Sequence, residues 1–331
     1  MVSSSTLARI DNRLKQIFRS SSPFGGISIV AFGDFKQLGP VADSYIFQPD
    51  RTNPYGPLVG NPLWELFNCF ELTQIMRQKD DAHFAAALNN LGEGRLNDQQ
   101  IKLFQSREVN ESVVPDEALR LYLSNADVNA FNESRISRKQ EIYSVSAKDT
   151  VQGQGSRALA DKALHAVRIA SLKDTRGLPT LLKLSIGIRY MMTNNIDIPD
   201  GLVNGAVGIL KYIDFNDVQQ PVRLWVHFDG INRHQFPLVA AEAITIHKSQ
   251  GGTYTHVAVN VSKKLARSEL YVAFSRCTSS AGLFLIGKFK PPAPPNPYDD
   301  IQVEIRKLKR KPIKSNLFHF QGLSFNLVPY S

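Results

Sequence analysis

The chain has 331 residues, enough at roughly 150 per domain for about two domains with buried cores. Hydrophobic residues make up 43% and charged residues 21%, which is ordinary globular usage and excludes a disordered chain or a small stapled scaffold. Lys plus Arg outnumber Asp plus Glu by 39 to 30, and the formal charge of +9 favours an acidic partner such as nucleic acid. The only cysteines are Cys69 and Cys277, so a disulfide framework and a thiolate zinc site are both excluded and a reducing compartment fits. No apolar run approaches the ~18 residues of a membrane helix, and the first residues lack the charged and apolar regions of a signal peptide.

Thr6 reads as an N-cap, with Leu7, Ile10, Leu14 and Ile17 following at helical spacing until Ser20–Pro23 and Gly25-Gly26 stop the helix. Ile27–Phe32 is a short β-rich run ending at Gly33-Asp34, as a buried parallel strand would. A stretch rich in Pro, Gly, Asp and Asn spans 40–62. A helix is expected over Asp81–Leu91, with Phe84, Leu88 and Leu91 on one face and Gly92 as its C-cap. Leu119–Leu123 reads as a strand, and Ser124 or Asn125 caps a helix carrying Val128, Phe131 and Ile136.

From about 151 to 240 the pattern becomes short β-like pieces, Ile188–Thr193, Val207–Ile213 and Val222–Phe228, with Asp229-Gly230 as a hairpin turn. Helical and parallel-strand pattern returns in Ala241–Gln250, His256–Val261, Leu265–Phe274 and Leu283–Ile286. Pro291–Pro297 reads as an extended linker, followed by the basic run from Arg306 to Lys314. That run accounts for most of the net charge, as a nuclear address, a loose phosphate contact or a solvated face.

Four clusters have the composition of a site. In Gly33–Val41, Asp34 can hold a water or a metal-bound water, and the Gln37 amide can donate to a phosphate oxygen while accepting from a water. The plainer reading is a turn capped by Asp34 with Gln37 solvated. In Leu72–Gln78, Arg77 suits phosphate through its paired N–H groups, or else pairs with Asp80 or Asp81. In Ala243–Thr253 an apolar run ends in His247, Lys248, Ser249 and Gln250 and two glycines, donors that suit a nucleic-acid backbone and a ring that suits stacking. His247 is equally read as a solvated or capping residue. In Leu270–Arg276 an apolar helix ends in Arg276, a placement already favoured by the helix dipole by about 0.3–1 kcal/mol. Gly282–Phe289 has the G-x-x-x-x-G-K spacing of a phosphate loop, but Phe289 replaces the hydroxyl residue and the intervening residues read as a strand.

Taken in order, these blocks resemble the Pif/RecD-type superfamily 1 DNA helicases, including those of Helitron transposons. Gly33-Asp34 with Gln37-Leu38 is similar to the third helicase motif and Met76-Arg77-Gln78 to the fourth. Leu119–Tyr122 with Asn125 resembles the strand and turn that follow. Gly201–Gly208 resembles the block that begins an SH3-like barrel, while Thr245–Gly251 and Tyr271–Arg276 resemble the fifth and sixth motifs. The resemblance covers roughly Met1 to Ile286.

It implies an α/β fold, a RecA-like P-loop NTPase helicase core with a partial first domain, a complete second domain and a small SH3-like β insertion. The implied boundaries are 1–70 for the first domain, 71–150 and 241–290 for the second, 151–240 for the insertion and 291–331 for the linker and tail. The implied function is ATP-dependent 5′→3′ DNA unwinding in repair, recombination and genome or telomere maintenance. Gln37, Arg77 and Arg276 would be catalytic, Arg276 as the arginine finger. Asp34, Gln250 and Gly251 would border the nucleotide, and Asn125, Thr245, His247, Lys248 and Ser249 the single-stranded DNA. The cofactors would be ATP and Mg2+, and the partners single-stranded DNA and DNA forks with no membrane. The compartment would be the nucleus or mitochondrion in a eukaryote and the cytoplasm otherwise.

Two departures stand out: Gly39 occupies a position where the family usually has Pro, and the family's phosphate loop and Asp-Glu strand are expected upstream of Met1. The chain alone is therefore expected to lack ATPase activity, and a non-catalytic DNA-binding remnant or transposon-derived fragment is the alternative.

Overall fold

The computed structural model describes residues 2–49, 55–72, 74–147, 158, 161–162, 165–166, 178–218, 221–228, 231–233 and 237–310. From the N-terminus they form α1 (Ser4–Phe18), α2 (Gly56–Val59), α3 (Ala82–Glu93), α4 (Asp98–Gln105), β1 (Glu108–Val109), β2 (Leu119–Tyr122) and α5 (Asn125–Ser137). Next come β3 (Tyr143–Ser146), β4 (Leu181–Leu184), β5 (Arg189–Met192), β6 (Val207–Phe215), β7 (Pro221–Phe228), β8 (Ile231–Arg233) and β9 (Leu238–Ala240). The chain continues through β10 (Ala243–Thr245), β11 (Val257–Asn260), α6 (Arg267–Ser275), β12 (Leu283–Ile286) and α7 (Asp300–Arg310). Two units result: Met1–Asn110 with Val261–Ser331, and Glu111–Asn260.

In the first unit, α1 is capped by Ser3 and not by Thr6, because the Ser3 hydroxyl accepts the Thr6 N–H and so starts the helix earlier. Buried Asp11 ties this helix to the next turn, accepting the Phe24 N–H at 2.6 Å while pairing with Lys15 at 2.7 Å. The run Ile27–Phe32 forms no strand. A strand needs a neighbour to satisfy its N–H and C=O groups, none of the described residues pairs with it, and Val30 and Phe32 are 59% and 79% exposed.

Helix α3 forms as its apolar spacing requires, with Asp81 accepting the Phe84 N–H as N-cap. It ends two residues later than expected. Gly94, at φ 68°, supplies the left-handed C-cap, and Gly92 remains inside the helix. Phe84, Phe104, Phe274 and Phe289 form an aromatic core with α3, α4 and α6 around it, each ring contributing on the order of 1.5–3 kcal/mol by burial. Parallel pairing of β1 with β12 completes this side, and the phosphate-loop look-alike is indeed a strand, with Phe289 buried.

The basic run begins inside α7, where Arg306, Lys307, Lys309 and Arg310 are exposed, as on a solvated face, while other contacts anchor the helix. The Trp64 indole N–H donates to Glu304 at 2.7 Å, Gln48 donates to Asp300 at 2.6 Å, and Lys307 pairs with Glu65. Lys311 and Lys314 lie outside the described residues.

In the second unit β2 lies between β10 and β11, all parallel and buried on both faces as continuous apolar strands should be. Ser124 caps α5, which packs on β2 and β10. Buried Asn132 fixes that packing, donating to the Ala240 and Ala243 carbonyls at 2.9 and 3.0 Å and accepting the Ala243 N–H at 2.7 Å. The β-rich segment forms an antiparallel sheet of order β8-β7-β6-β5-β9 and a β3–β4 pair over a core of Leu184, Ile188, Tyr190, Leu210, Ile213 and Leu238. Asp229-Gly230 lies outside the described residues, between strands that pair antiparallel. Among the described residues no helix is long and apolar enough to cross a membrane.

Candidate functional site

Helix α6 organises the candidate residues of the first unit. Leu270, Val272, Ala273 and Phe274 are buried, with Phe274 in the aromatic core. Tyr271 points toward the Asp34–Gln37 loop, and its phenol donates to Asp34 Oδ2 at 3.0 Å. The same oxygen accepts Gln37 Nε2 at 3.3 Å, while Oδ1 accepts the Lys36 N–H at 2.9 Å. Asp34 therefore closes its own turn, as the plainer sequence reading held, and also joins that turn to α6. Beside it Lys36 pairs with Glu93 at 3.0 Å.

The far end of α6 holds the arginines. Arg77 Nη1 donates to the Ser275 carbonyl at 3.0 Å, so the expected alternative pairing with Asp80 or Asp81 is replaced by a contact across 198 residues of sequence. Asp81 instead caps α3 and accepts from the Ser280 N–H and hydroxyl. The amide of Gln78, 6% exposed, donates to the carbonyls of Ser275 and Cys277 at 3.2 and 2.6 Å. Arg276 is only 2% exposed, with Nε on the Val272 carbonyl and Nη2 on the Ser275 hydroxyl, both at 2.9 Å. These two bonds occupy two of the five N–H groups of the guanidinium.

Electrostatics tie the cluster together. Burial raises the pKa of Tyr271, and the negative charge of Asp34 raises it further, against the smaller pull of Arg276 and Arg77. The phenol is a donor throughout the neutral range. Burial lowers the pKa of Arg77 from its ordinary value. Among the described residues no three carboxylate, imidazole or thiol side chains converge, and Asp34 already accepts three hydrogen bonds.

The second unit carries the other candidates. Thr245 ends β10 in register with Tyr122 at the end of β2, so the turn after Thr245 and the start of α5 at Asn125 leave the same carboxyl edge of parallel strands, where open α/β sheets place ligands. Thr245 and Ser249 are buried and build the turn: the Lys248 N–H donates to Thr245 Oγ1 at 3.3 Å, and the Ser249 hydroxyl donates to the Ile246 carbonyl at 2.7 Å. His247, Lys248 and Asn125 are exposed. Gln250 follows at the end of the turn, and Gly251 adopts φ +86°, a conformation that favours glycine. The predicted nucleotide set is thus divided, with Asp34 in one unit and Gln250 and Gly251 in the other.

Tyr271 and Gln78 lie within the motif blocks, but sequence alone gives them no role, and it does not foresee the Lys36–Glu93 pair. The available signal was a polar tip among the apolar residues of α6 and a Gln adjoining Arg77.

A family model described as PIF1-like helicase matches residues 1–102. The ATP-dependent DNA helicase PIF1 of Homo sapiens is 28% identical over 310 residues, which cover 86% of this chain and 44% of that protein. The crystal structure of Pif1 helicase from Candida albicans matches at TM-score 0.69 and 26% identity, covering 93% of this chain and 74% of that one. Bacteroides sp Pif1 in complex with ADP-AlF4 matches at TM-score 0.56 and 25% identity, covering 88% and 69% of the two chains. The chain is thus related to the Pif1-type helicases and shares their RecA-like α/β fold, while spanning less than half the length of the human relative.

Proposed function

We propose that this chain carries the nucleotide-coupling and DNA-tracking elements of an ATP-dependent DNA helicase of the Pif/RecD type. The observation that carries the reading is the convergence on α6 of three blocks distant in sequence: Asp34–Gln37 through Tyr271, Arg77-Gln78 through Ser275, and Arg276 itself. Phosphate needs donors that keep their charge, and these blocks supply two guanidinium groups and an amide. Gln37 would contact the terminal phosphate, and Arg77 and Arg276 would neutralise charge that develops as it departs. An arginine finger of this kind is worth roughly 10³–10⁵ in rate. Gln250 and Gly251 would border the nucleotide.

In the second unit, His247, Lys248 and Asn125 would meet single-stranded DNA by stacking and phosphate contact, while Thr245 and Ser249 hold the turn that presents them. The domain assignment that accompanies this reading is 1–70, 71–150 with 241–290, and an SH3-like insertion at 151–240. Unwinding of forks in repair, recombination or telomere maintenance, in the nucleus or mitochondrion of a eukaryote, extends the same reading. Mg2+ would be held with the nucleotide phosphates; among the described residues no three carboxylate, imidazole or thiol side chains converge to hold a metal ion by themselves.

The test is binding of a fluorescent, non-hydrolysable ATP analogue to the whole chain. Arg276→Ala and Arg77→Ala are each expected to weaken it about tenfold, the ~1.4 kcal/mol at the lower end of a charge-assisted hydrogen bond. A folded chain that binds DNA but no nucleotide supports the non-catalytic alternative. Binding indifferent to both arginines contradicts the assignment of the site.

A further inference from the structure

Tyr271 is the one residue of α6 that reaches the Asp34–Gln37 loop through a hydrogen bond among the described contacts, and its surroundings are shaped to hold it. Gly92 of α3 opens the space beside it: a Cβ there would come within 3.0 Å of both the Tyr271 ring and Lys36 Cδ. The phenol O–H donates to Asp34 Oδ2, since a carboxylate can only accept, and that oxygen also receives the Gln37 amide. One carboxylate thus fixes the orientation of Gln37, whose nitrogen must face Asp34, and links it to the helix that ends in Arg276.

Resting on the nucleotide reading above, we propose that Tyr271 is a positioning residue. It holds the Gln37 amide in fixed relation to the arginine-bearing helix, so that a nucleoside triphosphate is distinguished from a diphosphate. Without the phenol oxygen, the loop keeps its internal Asp34 bonds but loses its tether to α6.

Tyr271→Phe in the whole chain removes that oxygen and keeps the ring. Amide hydrogen exchange without nucleotide reads the tether directly. Exchange at Lys36 and Gln37 is expected to rise about tenfold, with the amides of α6 unchanged. Competition titrations with the β,γ-imido analogue of ATP and with ADP read the consequence. The ratio of the two affinities is expected to fall about fivefold in Tyr271→Phe and in Gln37→Ala, and no further in the double variant. A purely structural defect would weaken both nucleotides alike and leave the ratio intact. Unchanged loop exchange, or an unchanged ratio in a chain that binds both nucleotides, overturns the proposal. A folded wild-type chain that binds neither nucleotide overturns the nucleotide reading and the sensing role together, and the exchange result then tells whether the tether exists without that role.

Discussion

The side-chain amide of Gln78 donates to the carbonyl oxygen of Cys277 at 2.6 Å, deep in the first unit, and to that of Ser275 at 3.2 Å. This contact pins the Arg77 segment to the end of α6. Gln78→Ala takes a donor from two carbonyls in a buried setting and is expected to cost about 1–3 kcal/mol. The measurement is a lower urea midpoint at unchanged m-value. Gln78→Glu, which sets a carboxylate against the same carbonyls, is expected to cost more than Gln78→Ala.

Gly92 lies inside α3, where Gly→Ala ordinarily stabilises a helix by about 1 kcal/mol. Here the new methyl group would meet Tyr271 and Lys36 at 3.0 Å. The expected result is no net gain for Gly92→Ala and a loss of about 1–3 kcal/mol for the bulkier Gly92→Val, as overpacked sites show. Denaturant titration of both variants checks this, and a full 1 kcal/mol gain in Gly92→Ala would contradict the close approach.

Acid stability follows from Asp81 and Glu93. Burial raises the pKa of Asp81, but hydrogen bonds from Ser280 and Phe84 outweigh it and leave the carboxyl below its usual value. Glu93 behaves likewise, with burial offset by Arg95 and Lys36. A folded pKa below the unfolded one gives stability that is present above the unfolded value, near pH 4, and is lost as pH falls through the folded value. Thermal midpoints are therefore expected to decline below about pH 4, and the decline should be shallower in Asp81→Asn, which keeps the cap but does not titrate.

Periodicity and capping rules located α3, β2, α5 and β12, because in these segments local preference and burial agree. They misplaced what depends on distant partners. Ile27–Phe32 has strand composition but no pairing neighbour among the described residues, and the helix in the basic tail is held by Trp64, Gln48 and Glu65, far away in sequence. The motif blocks disclosed Asp34, Gln37, Arg77 and Arg276 one by one. Their meeting on α6 through Tyr271 and Ser275 was not legible, since no spacing rule relates positions some 200 residues apart. Gly39 is a case of the reverse kind. A Cβ there would come within 2.8 Å of the Tyr45 ring, an approach visible only once the fold is known.

The claim that this chain tracks nucleic acid is tested most directly by fluorescence anisotropy of a labelled single-stranded oligonucleotide titrated with the whole chain across a salt series. The expected result is saturable binding that weakens steadily with salt. Lys248→Ala should lower the slope of log affinity against log salt by about 0.7, the value for one phosphate contact on a single strand. His247→Ala should weaken binding at every salt concentration by ~1–3 kcal/mol, as loss of a stacked base would. A cooperatively melting chain that binds no single-stranded DNA at low salt, or binds it with no change in either variant, would contradict the account.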